Sequence, residues 1–235
     1  MSLAEFDFVI AGAGSAGCVL ANRLSENPAN RVLLLEAGPS DNNIMVRMPA
    51  GVATLITKPN ARNWGFDTEG SPAMNNRRDY WPRGKGLGGS SSINGMVYIR
   101  GHARDYDNWR QLGLVGWSFA DVLPYFKRSE TNEAGGDDFR GNSGPLNVSN
   151  AMNSSPLFNV AIEAGKQAGF KFTPDFNGSQ QEGFGMYQLT IKDGKRCSAS
   201  AAYLAPALQR PNLKVETGAH IARVLFDGKR ASGIE

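Results

Sequence analysis

Gly12, Gly14 and Gly17 stand in the spacing G-x-G-x-x-G. Gly12 permits a tight turn, Gly14 lets the backbone approach a pyrophosphate, and Gly17 lets a helix pack closely on the preceding strand. A helix opening at such a turn offers unpaired N–H groups and its positive dipole end to phosphate oxygens. Glu36 follows about 20 residues on, where this arrangement carries an acid that accepts hydrogen bonds from ribose hydroxyls. A carboxylate there repels a 2′-phosphate, which disfavours NADP. Which other dinucleotide is bound does not follow from the spacing.

A second block runs from Arg83 through Gly84, Lys85, Gly86, Leu87, Gly88, Gly89, Ser90, Ser91, Ser92, Ile93 and Asn94 to Gly95. Paired glycines let backbone N–H groups face an anion, and the serines add short donors. Leu87, Ile93 and Met96 interleave apolar anchors that a flexible linker has no reason to carry. Arg77, Arg78, Arg83 and Lys85 form the densest basic stretch. So short a run is ordinarily a solvated loop, but its place before the glycine block keeps a phosphate-facing role open.

The elements around these blocks follow from periodicity. Residues 6–11 read as a buried strand, Cys18 to Leu24 as a helix ending near Asn27-Pro28, and residues 31–35 as a second strand with Glu36 at its end. Two apolar strands joined by a helix imply a right-handed parallel crossover. Residues 39–80 are irregular, and a stretch of this length is expected to act as a cover or lid. Helices are expected at residues 105–109, 119–128, 155–169 and 198–208, and a short strand at 144–148. Residues 213–216 and 222–226 read as strands joined by a turn at Thr217-Gly218.

The chain has 235 residues and a net charge of only +3, too weak and scattered for a nucleic-acid partner. Its two cysteines, Cys18 and Cys197, make neither a disulfide framework nor a metal motif. No apolar run is long enough to span a bilayer, and a first strand beginning at Phe6 leaves no signal peptide visible. A cytoplasmic setting is the expectation.

The second glycine block resembles the first signature of the glucose–methanol–choline (GMC) family of FAD-dependent oxidoreductases. Residues 9–17 with Leu35-Glu36-Ala37-Gly38 resemble that family's ADP-binding unit. Tyr98-Ile99-Arg100-Gly101, Asp105-Tyr106-Asp107 and Arg196-Cys197-Ser198-Ala199 extend the likeness, which is closest to choline-dehydrogenase-like members and covers essentially the whole chain. The resemblance implies an α/β fold: a Rossmann-type, glutathione-reductase-like FAD-binding domain with the start of an α+β substrate-binding domain. It divides the chain into residues 1–150 for FAD, 151–195 for the start of the substrate domain, and 196–235 for a return to the FAD domain.

By position, the resemblance implies pyrophosphate contacts from the Gly12, Gly14 and Gly17 turn with Ser15 and Ala16, and a ribose contact from Glu36. Gly88, Gly89, Ser90, Asn94, Gly95 and Val97 would line the phosphate-to-flavin stretch, and the Ile221 backbone would meet adenine. Some members attach flavin through a histidine of the signature. Ile93 holds that position here, so FAD is expected to be non-covalent. The implied reaction is oxidation of a small-molecule alcohol at its CH–OH group by hydride transfer to flavin N5, through a histidine base that lies near the C-terminus of full-length members. Neither His102 nor His220 matches that position, and both read as surface or capping residues. No catalytic residue and no metal ligand is therefore assigned. The chain is expected to be an N-terminal portion that turns over nothing alone. Two other readings stand beside this one: a hydroxynitrile-lyase-like enzyme on the same scaffold, and a non-catalytic FAD-binding module. The residues name neither the alcohol nor the electron acceptor.

Overall fold

The alternation of apolar strand, glycine turn and small-residue helix is realised at the head of the chain. The computed structural model describes residues 5–152 and 155–235. Strand β1 spans Phe8–Ala11, helix α1 spans Ser15–Leu24 and strand β2 spans Val32–Glu36. β1 and β2 run parallel, with Phe8 opposite Val32 and Ala11 opposite Leu35. Helix α1 buries Gly17, Cys18 and Ala21, small residues that allow close packing. A Cβ at Gly17 would stand 2.0 Å from the Gly12 carbonyl oxygen, so only glycine fits. The helix stops at Ser25, whose hydroxyl donates back to the Ala21 carbonyl at 2.7 Å. Leu213–Thr217 adds a third parallel strand on the other side of β2, which is therefore central and fully buries Val32 and Leu34.

Two elements depart from their expected form. Residues 198–208 do not make one α-helix. Ser200–Leu204 is a π-helical turn, followed by a short α-helical stretch at Ala205–Ala207. Pro206 has no N–H for the Ala202 carbonyl, which breaks the i→i−4 ladder there. The Asn22 side chain of α1 donates to the Tyr203 carbonyl at 2.7 Å and fastens the widened turn to the helix. The second departure concerns the strands flanking Thr217-Gly218, which belong to different sheets. Beyond the parallel strand, Gly218 and Ala219 donate to the Gly38 and Glu36 carbonyls at 3.2 and 2.9 Å, so the chain runs on past β2 instead of folding back. Val224–Asp227 then pairs with Arg230–Ile234 as an antiparallel hairpin.

The chain forms two compact units. One comprises residues up to Gly95 together with Gly194–Glu235, and the other comprises Met96–Asp193. The boundary expected at 150/151 thus runs inside the second unit. In the first unit, the long stretch after β2 is largely irregular, with short helical turns at Ile44–Arg47 and Val52–Ile56. Val46, Leu55 and Ile93 pack into a small apolar cluster.

The second unit contains a four-stranded sheet in the order Val97–Tyr98, Gln188–Leu189, Leu146–Asn150, Glu130–Asn132. Three helices accompany it: Ala103–Gln111, Phe119–Ser129 and Pro156–Gln167. His102 caps the first, with Nδ1 accepting from the Arg104 amide at 3.1 Å while Asp105 accepts from the His102 amide at 2.8 Å. Ser118 and Asp121 form the equivalent reciprocal cap on the second. Among the described residues no helix is long and apolar enough to cross a membrane.

Much of this unit's interior is ionic. Glu130, fully buried, accepts from Arg140 Nε at 2.8 Å and from the Gly141 amide at 2.8 Å, and lies 3.0 Å from Arg100 Nη2. Arg140 Nη1 also donates to Asp175 and to Gln188, both at 2.6 Å. Burial alone would lower the Arg140 pKa, but the bonds to Glu130 and Asp175 outweigh it and hold the guanidinium above its usual value. Removing one member of such a group strands the opposite charge in a poorly solvated interior, at about 3–5 kcal/mol. Glu130→Ala is expected to destabilise the second unit by that amount in urea unfolding; an unchanged midpoint would show that the two arginines do not depend on this carboxylate.

Candidate functional site

The two glycine blocks meet inside the first unit. The Gly88 amide donates to the Ala13 carbonyl at 2.8 Å, and the Gly86 amide donates to Glu36 Oε1 at 2.9 Å. A Cβ on Gly89 would stand 2.7 Å from Gly14 Cα, and Gly89 itself holds a left-handed φ of 53°. Glycine is therefore required at this joint on two counts.

Beside the joint lies a cavity of about 530 Å³, within the roughly 300–1,000 Å³ range of small-molecule sites. Gly12, Gly14 and Ser15 line it from the first turn, Glu36 and Ala37 from the end of β2, and Arg83, Gly84, Gly89 and Ser90 from the second block. Ala11, Leu35, Trp64, Phe66, Ala219, His220 and Ile221 complete it. Seven of the residues singled out in the sequence are thus on one wall system: Gly12, Gly14, Ser15, Glu36, Gly89, Ser90 and Ile221.

The anion-binding geometry belongs to α1. Its N-cap is Gly14, which offers no capping side chain, and its first turn holds no acid. The first bond within the helix runs from the Cys18 amide to the Gly14 carbonyl at 2.9 Å. The Ser15, Ala16 and Gly17 amides therefore have no partner within the helix. A Cβ on Gly12 or Gly14 would meet no heavy atom within 4 Å, so the backbone faces open space. Unpaired amides behind an open glycine turn suit a pyrophosphate.

Glu36 does more than the sequence indicates. The residue is 6% exposed, and its carboxylate accepts three backbone amides: Ala13 on Oε2 at 2.8 Å, and Gly38 and Gly86 on Oε1 at 2.8 and 2.9 Å. These come from the first glycine turn, the end of β2 and the second glycine block.

The other expected site residues are not among those lining the cavity. Gly17 sets the helix–turn packing and Gly88 makes the joint. Asn94 and Gly95 are exposed and follow the short turn Gly89–Ser92. Val97 lies in the second unit on the strand Val97–Tyr98. Cys18 is fully buried beneath the turn, its thiol donating to the Ala13 carbonyl at 3.2 Å. Burial pushes that thiol up to about 12.

The sequence reading missed the aromatic side of the cavity. Trp64 stacks on Phe66 with ring centroids 5.8 Å apart, and His220 meets Trp64 edge-on at 5.6 Å. Lys85 Nζ lies 4.4 Å from the Trp64 ring centroid. Of the basic stretch, Arg83 reaches the cavity, while Arg77 pairs with Asp79 and Arg78 Nε donates to the Thr68 carbonyl at 2.9 Å. Asn63 organises this side, with Nδ2 donating to Leu55 and Tyr80 and Oδ1 accepting from the Gly65 and Arg83 amides, all at 3.0 Å. An Asn buried in a Gly-, Pro- and aromatic-rich stretch was the available signal. Among the described residues, no group of three or more His, Cys, Asp or Glu could hold a metal ion.

A parallel βαβ unit with an uncapped helix N-terminus and a terminal acid defines a dinucleotide-binding α/β fold. Residues 6–235 match the family model for GMC oxidoreductase, and the chain belongs to that family. Its fold is that of the family's N-terminal FAD-binding domain. The chain is 49% identical to the mitochondrial choline dehydrogenase of Mus musculus over 238 residues, which is 98% of this chain and 40% of that protein. It is 52% identical over 231 residues to the oxygen-dependent choline dehydrogenase of Sinorhizobium medicae (strain WSM419), covering 98% of this chain and 42% of that one. Among solved structures, pyridoxine 4-oxidase from Mesorbium loti superposes with a TM-score of 0.92 at 35% identity, over 98% of this chain and 45% of that one. The chain therefore spans less than half the length of each of these proteins.

Two outcomes follow from the geometry. Glu36→Gln places an NH₂ group against a ring of amide donors and removes the charge; the variant is expected to lose about 1–3 kcal/mol and to lose hydrogen-exchange protection at Ala13, because the one remaining oxygen can keep Gly38 and Gly86. Equal protection in the two proteins would refute the clamp. Cys18 titrates near 9.0 when unfolded and near 12 when folded, so stability is expected to fall as pH rises through that window. The wild type should lose about 1.4 kcal/mol more per pH unit than Cys18→Ala between pH 9 and 11, measured by denaturant unfolding.

Proposed function

We propose that this chain supplies the FAD-binding portion of an oxidoreductase that acts on the CH–OH group of an alcohol, with choline or a choline-like alcohol as the substrate. The observation that carries this reading is the meeting of the uncapped α1 N-terminus and the second glycine block at one cavity. The substrate class rests on the choline dehydrogenases that the chain resembles at 49–52% identity.

In this reading Gly12 and Gly14 admit the pyrophosphate, and the Ser15 and Ala16 amides donate to it. A carboxylate has about four acceptor sites, and three of those on Glu36 are taken by amides. Glu36 therefore accepts a single ribose hydroxyl, through Oε2. The Ile221 backbone meets adenine. Gly88, Gly89, Ser90, Asn94 and Gly95 shape the stretch leading toward the flavin. When bound, FAD supplies N5 as acceptor for the hydride leaving the alcohol carbon.

Ile93, at the position where some relatives carry a flavin-linking histidine, is buried in the apolar cluster with Val46 and Leu55. It has no nucleophile to offer, so the cofactor is held without a covalent bond. His102 serves as a helix cap and His220 sits against Trp64; no catalytic base is assigned within the 235 residues. The division of labour expected from the sequence, with residues 1–150 and 196–235 serving the cofactor and 151–195 opening the substrate-binding part, belongs to the same reading. So does a cytoplasmic setting, supported by two buried cysteines that are not in a disulfide.

Titration of the chain with FAD, followed by flavin fluorescence and visible absorbance, is expected to show saturable binding, and heat or acid should release all of the flavin. Flavin remaining with the denatured polypeptide would overturn the non-covalent assignment, and absence of binding would overturn the reading as a whole. Anaerobic addition of choline to the loaded 235-residue chain is expected to leave the flavin oxidised; bleaching would place the base within these residues.

A further inference from the structure

Arg196 is a buried cation without a carboxylate partner. Its residue is 4% exposed, and no described acid pairs with it. Its guanidinium instead reaches three pieces of backbone in the first unit. Nε donates to the Val46 carbonyl at 2.9 Å. Nη1 lies 3.2 Å from the Ser91 carbonyl, 2.7 Å from the Asn94 carbonyl and 2.9 Å from Asn94 Oδ1. Nη2 is buried and donates to no described atom. Three residues on, the Ala199 amide donates to Ser91 Oγ at 2.9 Å, so the same segment grips the second glycine block twice.

This arrangement fixes which way Asn94 points. A guanidinium has donors and no acceptor. Only Oδ1 of Asn94 can face it, and the amide NH₂ must turn to the opposite side. Arg196 is buried, whereas Asn94 is exposed. A buried arginine with an idle donor is a costly way to stabilise a turn, because desolvation is repaid only by carbonyls. Burial lowers its pKa to about 10, and it remains a cation at neutral pH. Lysine could not replace it, since a single ammonium point cannot span Val46, Ser91 and Asn94 together.

We propose that Arg196 is a positioning residue for the cofactor: it locks the Asn94 amide with its carbonyl toward the guanidinium and its NH₂ away from it, so that residue 94 presents a hydrogen-bond donor to FAD. The inference rests on the FAD-binding reading above and adds to it a residue that does not itself line the cavity. Arg196 acts through Asn94, and the two should behave as one unit.

The test is a double-mutant cycle on FAD affinity in the 235-residue chain, with thermal unfolding of the unliganded proteins in parallel. Arg196→Lys is expected to weaken FAD binding about tenfold, and the absorbance envelope of the bound flavin should shift toward that of free flavin. Asn94→Ala is expected to weaken binding to a similar degree without lowering the unfolding temperature as a core change would. The double variant should bind no more weakly than Asn94→Ala alone. Wild-type affinity in Arg196→Lys, or losses that multiply fully in the double variant, would overturn the inference while leaving the FAD reading intact. Failure of the wild type itself to bind FAD would overturn both. Should Arg196→Lys not fold, Asn94→Ala decides: unchanged affinity there means the locked amide contributes nothing, and the proposal falls.

Discussion

The Glu36 carboxylate stands at the C-terminal end of the central strand, nearly out of reach of solvent, and a charge in that position must be met by donors. It is met entirely by main chain. The amides of Ala13, Gly38 and Gly86 converge on it from three segments far apart in sequence. Bonds to a charged acceptor are worth about 1.5–3 kcal/mol each, so this one side chain sets the distance between the first glycine turn and the second glycine block. The joint at Gly88 and Ala13 and the close approach of Gly89 to Gly14 then follow, because once Gly86 is anchored the next residues have little freedom. The cavity is the space left beside a knot of backbone.

The parts legible in the sequence were those whose cause is local. β1, α1 and β2 follow from apolar runs, a glycine spacing and a terminal acid, all within 31 residues of one another. The helices beginning at Ala103 and Phe119 follow from their periodicity. The missed parts had causes elsewhere in the chain. The π turn at Ser200–Leu204 depends on Pro206 and on a side chain of α1 far upstream. The separate placement of the two strands around Gly218 depends on hydrogen bonds to the end of β2. Trp64 and Phe66 come from a stretch with no period at all, positioned by the side-chain hydrogen bonds of Asn63. Glu36 itself was found for one reason and turned out to have another.

The second unit uses ions for the purpose that backbone amides serve in the first. Arg100, Glu130, Arg140 and Asp175 are spread over 76 positions and carry no common motif, yet they meet through bonds of 2.6–3.0 Å. Each charge in such a group is tolerable only while the others are in place, so the group specifies the sheet's arrangement more than it deepens its stability. Arg140 spans the strand bearing Glu130, the loop bearing Asp175 and the strand bearing Gln188. A slip of one residue in any of them would cost the buried guanidinium one of its partners.

Among the described residues of the first unit the comparable buried cation is Arg196, and it follows a different logic. No described acid neutralises it, and its hydrogen bonds go to carbonyl oxygens. Carbonyls repay part of the desolvation cost but leave the charge in place, so the turn carrying Ser91 and Asn94 lies beside an uncompensated positive charge. Together with the unpaired amides of α1 and with Arg83 at the cavity, this sets positive groups around the glycine turns, opposite the single carboxylate of Glu36. Fixed dipoles and a buried charge cannot swing away or be screened as surface lysines are, which suits them to an anionic dinucleotide. Such a cradle is demanding about glycine and indifferent to most side chains, which is why the cofactor class is readable from the spacing of a few residues, whereas the choice of alcohol, which needs shaped side-chain contacts, is not.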